Sequence, residues 1–468
     1  MSGPMALESH DGRSADGRED TLARRLSAAP DSTLALCVPR APEDPVDRLA
    51  AGMADQIGPA VHAWEVAALL ESEGLTGDQI RERYRHPGLF SLARDLYGRV
   101  PRSFPEPARG PDPWAPDHVR CALRGVLFAL PGLAYVLTGR LWQGERGVYA
   151  LIAAGLLSWA WGQALSHRAY LRLVVGRREA GRTLLYGAPA GALISSAAAL
   201  AVAGPGSATL FAVGQSLYLA AAGVLLVCGR ERMLLAALTP LIAGTAVLPW
   251  WEPGPVLRTA LPALTVLLSL AVAGHCVRGM SRTDAVPTVP GEGGTGPRIV
   301  ASLPYGLFGL AAGTLVVFVG QRGALAVVAL TLSMGPAEWL LYRFRGLALA
   351  ALRAAADETG FRLRSAGTLA ICLGGYLLPL VPAALLTSGS PWPVVAVAAL
   401  LWTALLLQAF GIAWIPAVVS VGAASAAVLS AVMAGPLDAA VLLLCTATGA
   451  LLLTASVLWL LGRPTAHA

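Results

Sequence analysis

WGQALSHRAYLRLVVGRREAGR, residues 161–182, begins as an apolar run and ends in a dense cluster of positive charge. Five arginines follow the apolar residues, and Glu179 is the only acid among them. An apolar run that ends abruptly in arginines is typical of a transmembrane helix whose next loop lies in the cytoplasm. The stretch therefore predicts a membrane-spanning chain and the side of the membrane on which this loop lies.

Composition supports a membrane protein. Of the 468 residues, 55% are hydrophobic and 14% are charged, whereas an average soluble protein carries roughly a quarter charged residues. Residues 1–124 hold 15 Arg and 19 acids, and residues 125–468 hold 20 Arg and 10 acids. The net charge of +6 therefore resides in the apolar part, where it reads as loop charge and not as a nucleic-acid surface.

The apolar part predicts an all-α polytopic fold with about twelve transmembrane helices, because stretches of roughly 20 apolar residues recur along it. The predicted spans lie near 121–139, 148–166, 183–203, 207–228, 233–250, 256–277, 300–320, 323–342, 366–387, 392–410, 412–433 and 437–461. A Gly/Pro-rich loop, 278–299, separates a first six-helix lobe, 119–277, from a second, 300–461.

Arginine is distributed unequally between the loops. The even-numbered loops hold 15 arginines and the odd-numbered loops hold 4. By the positive-inside rule the even loops and both termini, including the tail 462–468, are cytoplasmic. We therefore expect a multi-pass protein of the plasma membrane, with the arginines also in contact with anionic lipids.

The polar N-terminal region divides into three parts. Residues 1–58 are expected to be disordered, residues 59–100 to form a small three-helix cytoplasmic module, and residues 101–118 to form a Pro-rich linker. Thr76 and Gln79 have the spacing of a capping box. The expected core of the module is Trp64, Val66, Leu69, Leu70, Ile80, Tyr84, Leu89, Phe90, Leu92, Leu96 and Tyr97.

This module is not expected to bind DNA. Residues 61–100 carry five Arg against six acids, which leaves no basic face for phosphates. We expect it to dock a cytoplasmic partner, such as a glycosyltransferase or a scaffold protein.

The arginine pattern recurs six spans later. The eighth span ends in EWLLYRFRGLALAALRAAADETGFRLR, residues 338–364, again with five arginines. Six helices in each half give both halves the same orientation, so the pattern favours a parallel internal repeat of the kind found in transporters.

No enzyme motif or cofactor motif is present. The Gly-rich PGEGGTGPR, residues 290–298, lacks the GK[ST] of a phosphate-binding loop, and the six cysteines have no metal-ligand spacing. We therefore expect neither catalysis nor a cofactor.

A few polar residues lie inside the spans. Glu338 either faces a cavity or partner, as intramembrane acids usually do, or, because it lies within one or two turns of the cytoplasmic edge, reaches water or pairs with Arg343. Gln163, Gln215 and Gln408 either bond between helices or line a cavity. His167 and Arg168 stand where the second helix is expected to leave the membrane, and snorkelling would account for them.

The layout resembles the multidrug/oligosaccharidyl-lipid/polysaccharide flippase superfamily. RGVLFALPGLAYVLTG (124–139), GQALSHRAYLRLVVGRREAGRTLL (162–185) and LPYGLFGLAAGTLVVFVG (303–320) look like its first helix, its second-to-third junction and its seventh helix. The resemblance implies two lobes around a central cavity that move a lipid-linked saccharide or polysaccharide outward by alternating access.

On this reading we expect substrate to be bound among the polar residues of the spans and their mouths: Arg124, Gln163, His167, Arg168, Gln215, Glu338 and Arg343. The chain departs from the family in having only Arg124 near the cavity-lining part of the first helix, and in lacking the first-lobe acid of cation-coupled exporters. Two alternatives stay open: a non-transporting scaffold of a polysaccharide-synthesis complex, and a membrane glycosyltransferase using Glu145, Glu252 or Asp438.

Overall fold

A computed structural model describes residues 44–102, 115–139, 141–142, 144–282, 299–355, 358–388, 390–435 and 438–463. The predictions for residues 1–43, for most of the two linkers and for the end of the C-terminal tail lie outside these ranges. The chain divides into two compact units, an N-terminal unit within residues 9–112 and a membrane unit from Pro113 onward. Each is described by itself.

The N-terminal unit is a cluster of short helices. They are α1 (Pro45–Gly52), α2 (Ala54–Ile57), α3 (Ala63–Ser72), α4 (Gly77–Arg83) and α5 (Leu89–Arg99). Val46 and Ile57, from the first two helices, are buried with Leu70, Ile80 and Leu92 in one core. The helical module therefore begins at Pro45, within the stretch 1–58 that composition predicted to be disordered.

The sequence predicted the α4 cap correctly. The Thr76 hydroxyl accepts from the Gln79 N–H, and the Gln79 side chain accepts from the Thr76 N–H, so both halves of a capping box are present. Two members of the predicted core are misplaced, however, because Trp64 is 70% exposed and Phe90 is 63% exposed. Each lies on the outer face of a helix whose opposite face supplies the buried leucines.

The membrane unit is helical. Its helices are α6 (His118–Ala129), α7 (Leu133–Thr138), α8 (Glu145–Val175), α9 (Arg177–Ala203), α10 (Ser207–Val227), α11 (Glu231–Ala237), α12 (Thr239–Ala246), α13 (Pro255–Ser281), α14 (Leu303–Gly320), α15 (Ala324–Leu332), α16 (Met334–Ala354), α17 (Glu358–Ser388), α18 (Trp392–Ala409), α19 (Trp414–Ala434) and α20 (Ala439–Leu460). A 3₁₀ turn at Leu130–Gly132 joins α6 to α7, and Ser333 separates α15 from α16. Each of these pairs makes one span.

Eleven spans in the described residues are long and apolar enough to cross a membrane. The predicted fifth span, 233–250, is not among them, because it consists of the two short helices α11 and α12. Pro240 stands in the first turn of α12, where its missing N–H is tolerated and the preceding helix ends. The all-α polytopic fold is confirmed, but the count of twelve long helices is not.

Each predicted lobe has its own hydrophobic core. One buried cluster draws all its members from residues between Leu127 and Val277, and another draws all its members from residues between Phe308 and Leu461. Since neither cluster takes residues from the other half, we call residues 115–282 the first lobe and residues 299–463 the second lobe.

Candidate functional site

The two lobes meet where α6 of the first lobe crosses α16 of the second, a contact we call the first seam. Glycine makes the approach close on both sides. A Cβ added to Gly125 would lie 2.7 Å from the Leu332 carbonyl oxygen, and one added to Gly335 would lie 2.7 Å from the Cys121 carbonyl oxygen. Backbone therefore packs on backbone, as it does where small residues line membrane-helix interfaces.

A charge cluster lies beside this crossing. Arg124 donates through Nε and Nη2 to Glu231 Oε1 at 3.0 and 2.7 Å, and through Nη1 to Glu338 Oε1. Arg120 adds a bond to Glu231 Oε1 at 2.9 Å. Because Glu231 belongs to the first lobe and Glu338 to the second, Arg124 links the two lobes through an ion pair.

This cluster is largely shielded from solvent. The side chains of Glu231, Arg124 and Glu338 are 6%, 12% and 21% exposed. Charges at such burial persist only when they are paired and hydrogen-bonded, and two arginines here balance two carboxylates. Trp339 extends the seam by donating its indole N–H to His118 Nδ1 at 2.8 Å.

A second seam joins α8 of the first lobe to α14 of the second. A Cβ added to Gly306 would lie 3.3 Å from the Ala164 Cβ, and one added to Gly309 would lie 2.8 Å from the Gln163 Cγ. Next to these glycines the rings of His167 and Tyr305 stack with centroids 3.8 Å apart.

Ser302 completes the polar contact of the second seam. Its hydroxyl lies 3.1 Å from His167 Nδ1, and His167 is only 6% exposed. The snorkelling explanation for His167 is therefore wrong, because the α8 helix continues to Val175 and buries this ring against the other lobe.

The two seams have the same construction. In a repeat of six helices the first span corresponds to the seventh and the second span to the eighth. The contact between spans 1 and 8 in the first seam therefore corresponds to the contact between spans 7 and 2 in the second seam. In each seam a glycine at the crossing directly follows a residue that contacts the other lobe: Gly125 follows Arg124, which pairs with Glu338, and Gly306 follows Tyr305, whose ring stacks on His167. Both seams lie toward the end of the bundle where α8 ends and α9 begins, which we call the arginine-rich end.

A central cavity of about 450 Å³ lies between the lobes, beyond the seams. Its walls come from both lobes, with Phe128, Leu156 and Gln163 on one side and Phe308 and Met334 on the other. None of the described residues lining it carries a formal charge. The lining is mainly apolar and aromatic, which suits a substrate with a large apolar surface.

The cavity wall nevertheless offers hydrogen-bonding groups. Among the described residues, the indole N–H groups of Trp142 and Trp159 and the Oε1 atom of Gln215 are buried without a hydrogen-bond partner, and all three residues line the cavity. Gln215 Nε2 donates to the Leu151 carbonyl at 3.3 Å. A ligand with hydroxyl groups could satisfy both the donors and the acceptor.

The predicted site residues therefore fall into three groups. Gln163 and Gln215 line the central cavity, while Arg124, Glu338 and His167 form the polar contacts of the seams. Arg168 and Arg343 are outside the described cavity lining. Glu338 pairs with Arg124 and not with Arg343, which is exposed.

Sequence reasoning missed Glu231, the most buried acid of the cluster. It falls just before the predicted fifth span, and its partner Arg120 falls just before the first. The sequence does show two arginines and two acids near helix ends that could pair with one another. No spacing pattern, however, connects residues that lie more than 100 positions apart.

The positive charge of the opening stretch, residues 161–182, is partly neutralised. Glu179 lies 3.8 Å from Arg172 and 3.1 Å from Arg182, so the one acid in the opening stretch bonds two of its five arginines. The excess of positive charge at this end remains.

A multi-pass α-helical membrane protein of two lobes is the class that this fold and site define. No protein-family model matches the chain, and no curated protein matches it. The structure itself must therefore carry the functional argument.

Proposed function

We propose that this protein is an alternating-access transporter that moves an amphiphile, such as a lipid-linked saccharide, across the membrane. The observation that carries the proposal is the central cavity, which lies between two separately cored lobes and is closed at one end by two seams of the same construction. Breaking both seams would open the arginine-rich end without disturbing either core.

The character of the cavity narrows the proposed substrate. Placing a bare diphosphate in an uncharged, apolar cavity would carry a large desolvation cost, and Arg124 is already bound by two carboxylates. The indole and amide groups instead suit neutral sugar hydroxyls, and the aromatic walls suit sugar faces or hydrocarbon. We therefore propose that the part of the substrate entering the cavity is uncharged.

The arginine-rich end supports the orientation in this proposal. Basic residues near an anionic leaflet contribute about 1 kcal/mol of attraction each. The five arginines of residues 161–182 and the five of residues 338–364 would therefore hold the lobes against cytoplasmic headgroups. Substrate would then enter from the cytoplasmic side of the plasma membrane when the seams part, and leave by the opposite end.

The two alternatives have less support. A scaffold needs no cavity between its lobes, although exposed Val61 and Trp64 on the N-terminal unit are suited to docking a partner. A glycosyltransferase needs free outer acids, but Glu252 is paired with Arg258 at 2.7 Å. Glu145 begins α8, and Asp438 precedes α20, each as a single acid.

A disulfide across the second seam tests transport. In a chain whose native cysteines are replaced, Ala164→Cys with Gly306→Cys places two Cβ atoms about 3.3 Å apart, near the usual range for a disulfide. In proteoliposomes containing a fluorescent polyprenyl-linked sugar, oxidation should stop movement between leaflets, and reductant should restore it.

A matched control places a disulfide inside one lobe. Ala423→Cys with Gly449→Cys joins α19 to α20 across about 3.6 Å and should leave transport unchanged when oxidised. Continued transport by the fully oxidised seam variant would refute alternating access. Absence of movement in every variant, the unmodified chain included, would refute the proposed substrate class.

A further inference from the structure

A second, larger cavity lies inside the first lobe. This lateral cavity measures about 680 Å³ and is enclosed by α7, α10, α12 and α13. Its lining is again without formal charge among the described residues. None of the residues that form the two seams lines it.

The bend of the first span and the break of the fifth border this cavity. Pro131 in the 3₁₀ turn and Leu238, between α11 and α12, both line it. In the second lobe the equivalent of α10 is α18, which is buried along nearly its whole length, with Trp402 only 1% exposed. The lateral cavity is thus bordered by irregularities of the first lobe.

The rim of the lateral cavity lies on the flank of the helix bundle. Leu210 and Leu267 line the cavity and are 74% and 63% exposed. In a spanning protein an apolar flank of this kind faces the hydrocarbon of the bilayer and not water. The molecules able to fill the cavity from that side are therefore lipids.

The lateral cavity also adjoins the central cavity. Tyr135, Gln215 and Leu219 line both, so these three side chains form the boundary between them. Two polar atoms of the lateral-cavity lining have no hydrogen-bond partner among the described residues: Gln215 Oε1, and the hydroxyl of Thr265, which is 3% exposed. Four other buried threonines, Thr138, Thr368, Thr403 and Thr446, each bond the carbonyl four residues back.

We propose that the lateral cavity binds the hydrocarbon chain of a membrane amphiphile whose polar end lies at the boundary with the central cavity. The apolar wall accommodates the chain, and Gln215 and Thr265 can bond the first polar groups that follow it. That this amphiphile is also the transported molecule rests on the proposed function. Binding of a hydrocarbon chain, in contrast, requires only the lateral cavity.

Gly214 provides a variant that fills the cavity. It lines the cavity, and a Cβ added there meets no atom within 4 Å, so Gly214→Phe can project into the space without moving the backbone. Gly374→Phe is the matched control, because Gly374 is equally open, lies in α17 of the second lobe and is exposed. Both changes replace a helical glycine by the same residue.

The test uses the full chain in vesicles of phosphatidylethanolamine and phosphatidylglycerol with a trace of phosphatidylcholine whose acyl chain carries a diazirine. After illumination, labelled peptides are mapped by mass spectrometry. We expect label on lateral-cavity residues of α10 and α13, at least fivefold lower in Gly214→Phe and unchanged in Gly374→Phe. Gly214→Ala, which fills little of the cavity, should retain the label and serves as the check on folding.

Two results would overturn the proposal: label confined to outer helix faces, or equal labelling of the cavity residues in Gly214→Phe and the unmodified chain. The result is independent of transport, since it reads binding alone. A failure of the seam disulfide to stop transport would remove the proposed function but leave a cavity labelled by lipid.

Discussion

Removing Arg124 should weaken the first seam by a measurable amount. Arg124→Met leaves Glu338 facing no cation and leaves Glu231 with Arg120 alone. Unpairing a buried charge costs about 3–5 kcal/mol, and the partial exposure of Glu338 together with the remaining Arg120 bond points to the lower end, about 3 kcal/mol. Glu338→Leu leaves Arg124 bound to Glu231 and should cost about 1 kcal/mol.

The double variant isolates the link between the lobes. Once Arg124 is gone, Glu338→Leu removes an unpaired charge, so the pair of changes should cost only about 2 kcal/mol. The coupling energy between Arg124 and Glu338 is then about 2 kcal/mol. Unfolding free energies from dodecyl sulfate titrations in mixed micelles, followed by circular dichroism, supply all four values.

A second cycle with Arg343→Met serves as the control. Arg343 is exposed, and the structure pairs Glu338 with Arg124, so the Arg343–Glu338 coupling should lie below about 0.5 kcal/mol. If the two cycles gave equal couplings, or if the Arg124–Glu338 coupling were near zero, the described ion pair would not hold the lobes together.

The same change should be visible in a native cysteine. Cys121 lies in the first seam, 3% exposed, and its thiol becomes accessible only when α6 and α16 part. Of the cost of Arg124→Met, the Arg124–Glu338 coupling of about 2 kcal/mol is the part lost only from the closed state, and this loss raises the open population roughly 30-fold. Maleimide modification of Cys121, followed by mass spectrometry, should accelerate accordingly in Arg124→Met, and an unchanged rate would show that the seam does not open at Arg124.

The remaining predictions concern orientation and the N-terminal unit. In intact cells a cysteine placed at position 177 (Arg177→Cys) should be protected from an impermeant thiol reagent. Its modification from outside would refute the predicted topology. Within the N-terminal unit, which is to be tested as the fragment 44–102, Arg99 bonds Asp44, Asp47 and Asp95, and it holds the pKa of Asp95 below the ordinary 3.8. Since the folded pKa is lowered, this stabilisation is complete above pH 3.8 and is lost as the pH falls through the folded value. Arg99→Ala should therefore lower the Tm at pH 7 and flatten its dependence on pH below 4, and an unchanged acid profile would contradict the link.

Local patterns predicted local structure well. Apolar runs located eleven spans because crossing a bilayer requires a continuous apolar helix, and the Thr76–Gln79 spacing located a helix start. The predicted fifth span is wrong, because an apolar run looks the same in sequence whether its helix is continuous or is broken near Pro240. The predicted burial of Trp64 is wrong for a related reason. The pattern of a short amphipathic helix does not reveal which of its large apolar residues faces outward.

The seams could not be predicted, because they depend on pairing between distant helices. Arg124 meets Glu231 and Glu338 across 107 and 214 residues, and only the packed bundle brings them together. For Glu338 the sequence left open a cavity or partner, water, or a pair with Arg343, and the structure pairs it with Arg124. His167 was assigned to the water interface because the arginines after it suggested that the helix was already leaving the membrane.

The glycines at the two crossings also bear on how fast the lobes can separate. Where side chains interlock, parting two helices requires each to change rotamer and to pass its neighbour. At Gly125 and Gly335 backbone touches backbone, and at Gly306 the nearest atoms are the Ala160 carbonyl oxygen and the Ala164 Cβ, so these surfaces can slide or separate without such rearrangement. In the proposed transport cycle we therefore expect low friction at the seams, with the lifetime of the closed state set by the polar bonds around Arg124 and His167. Substituting those bonds should change the opening rate, whereas bulk added at the glycines should roughen the surfaces and jam them.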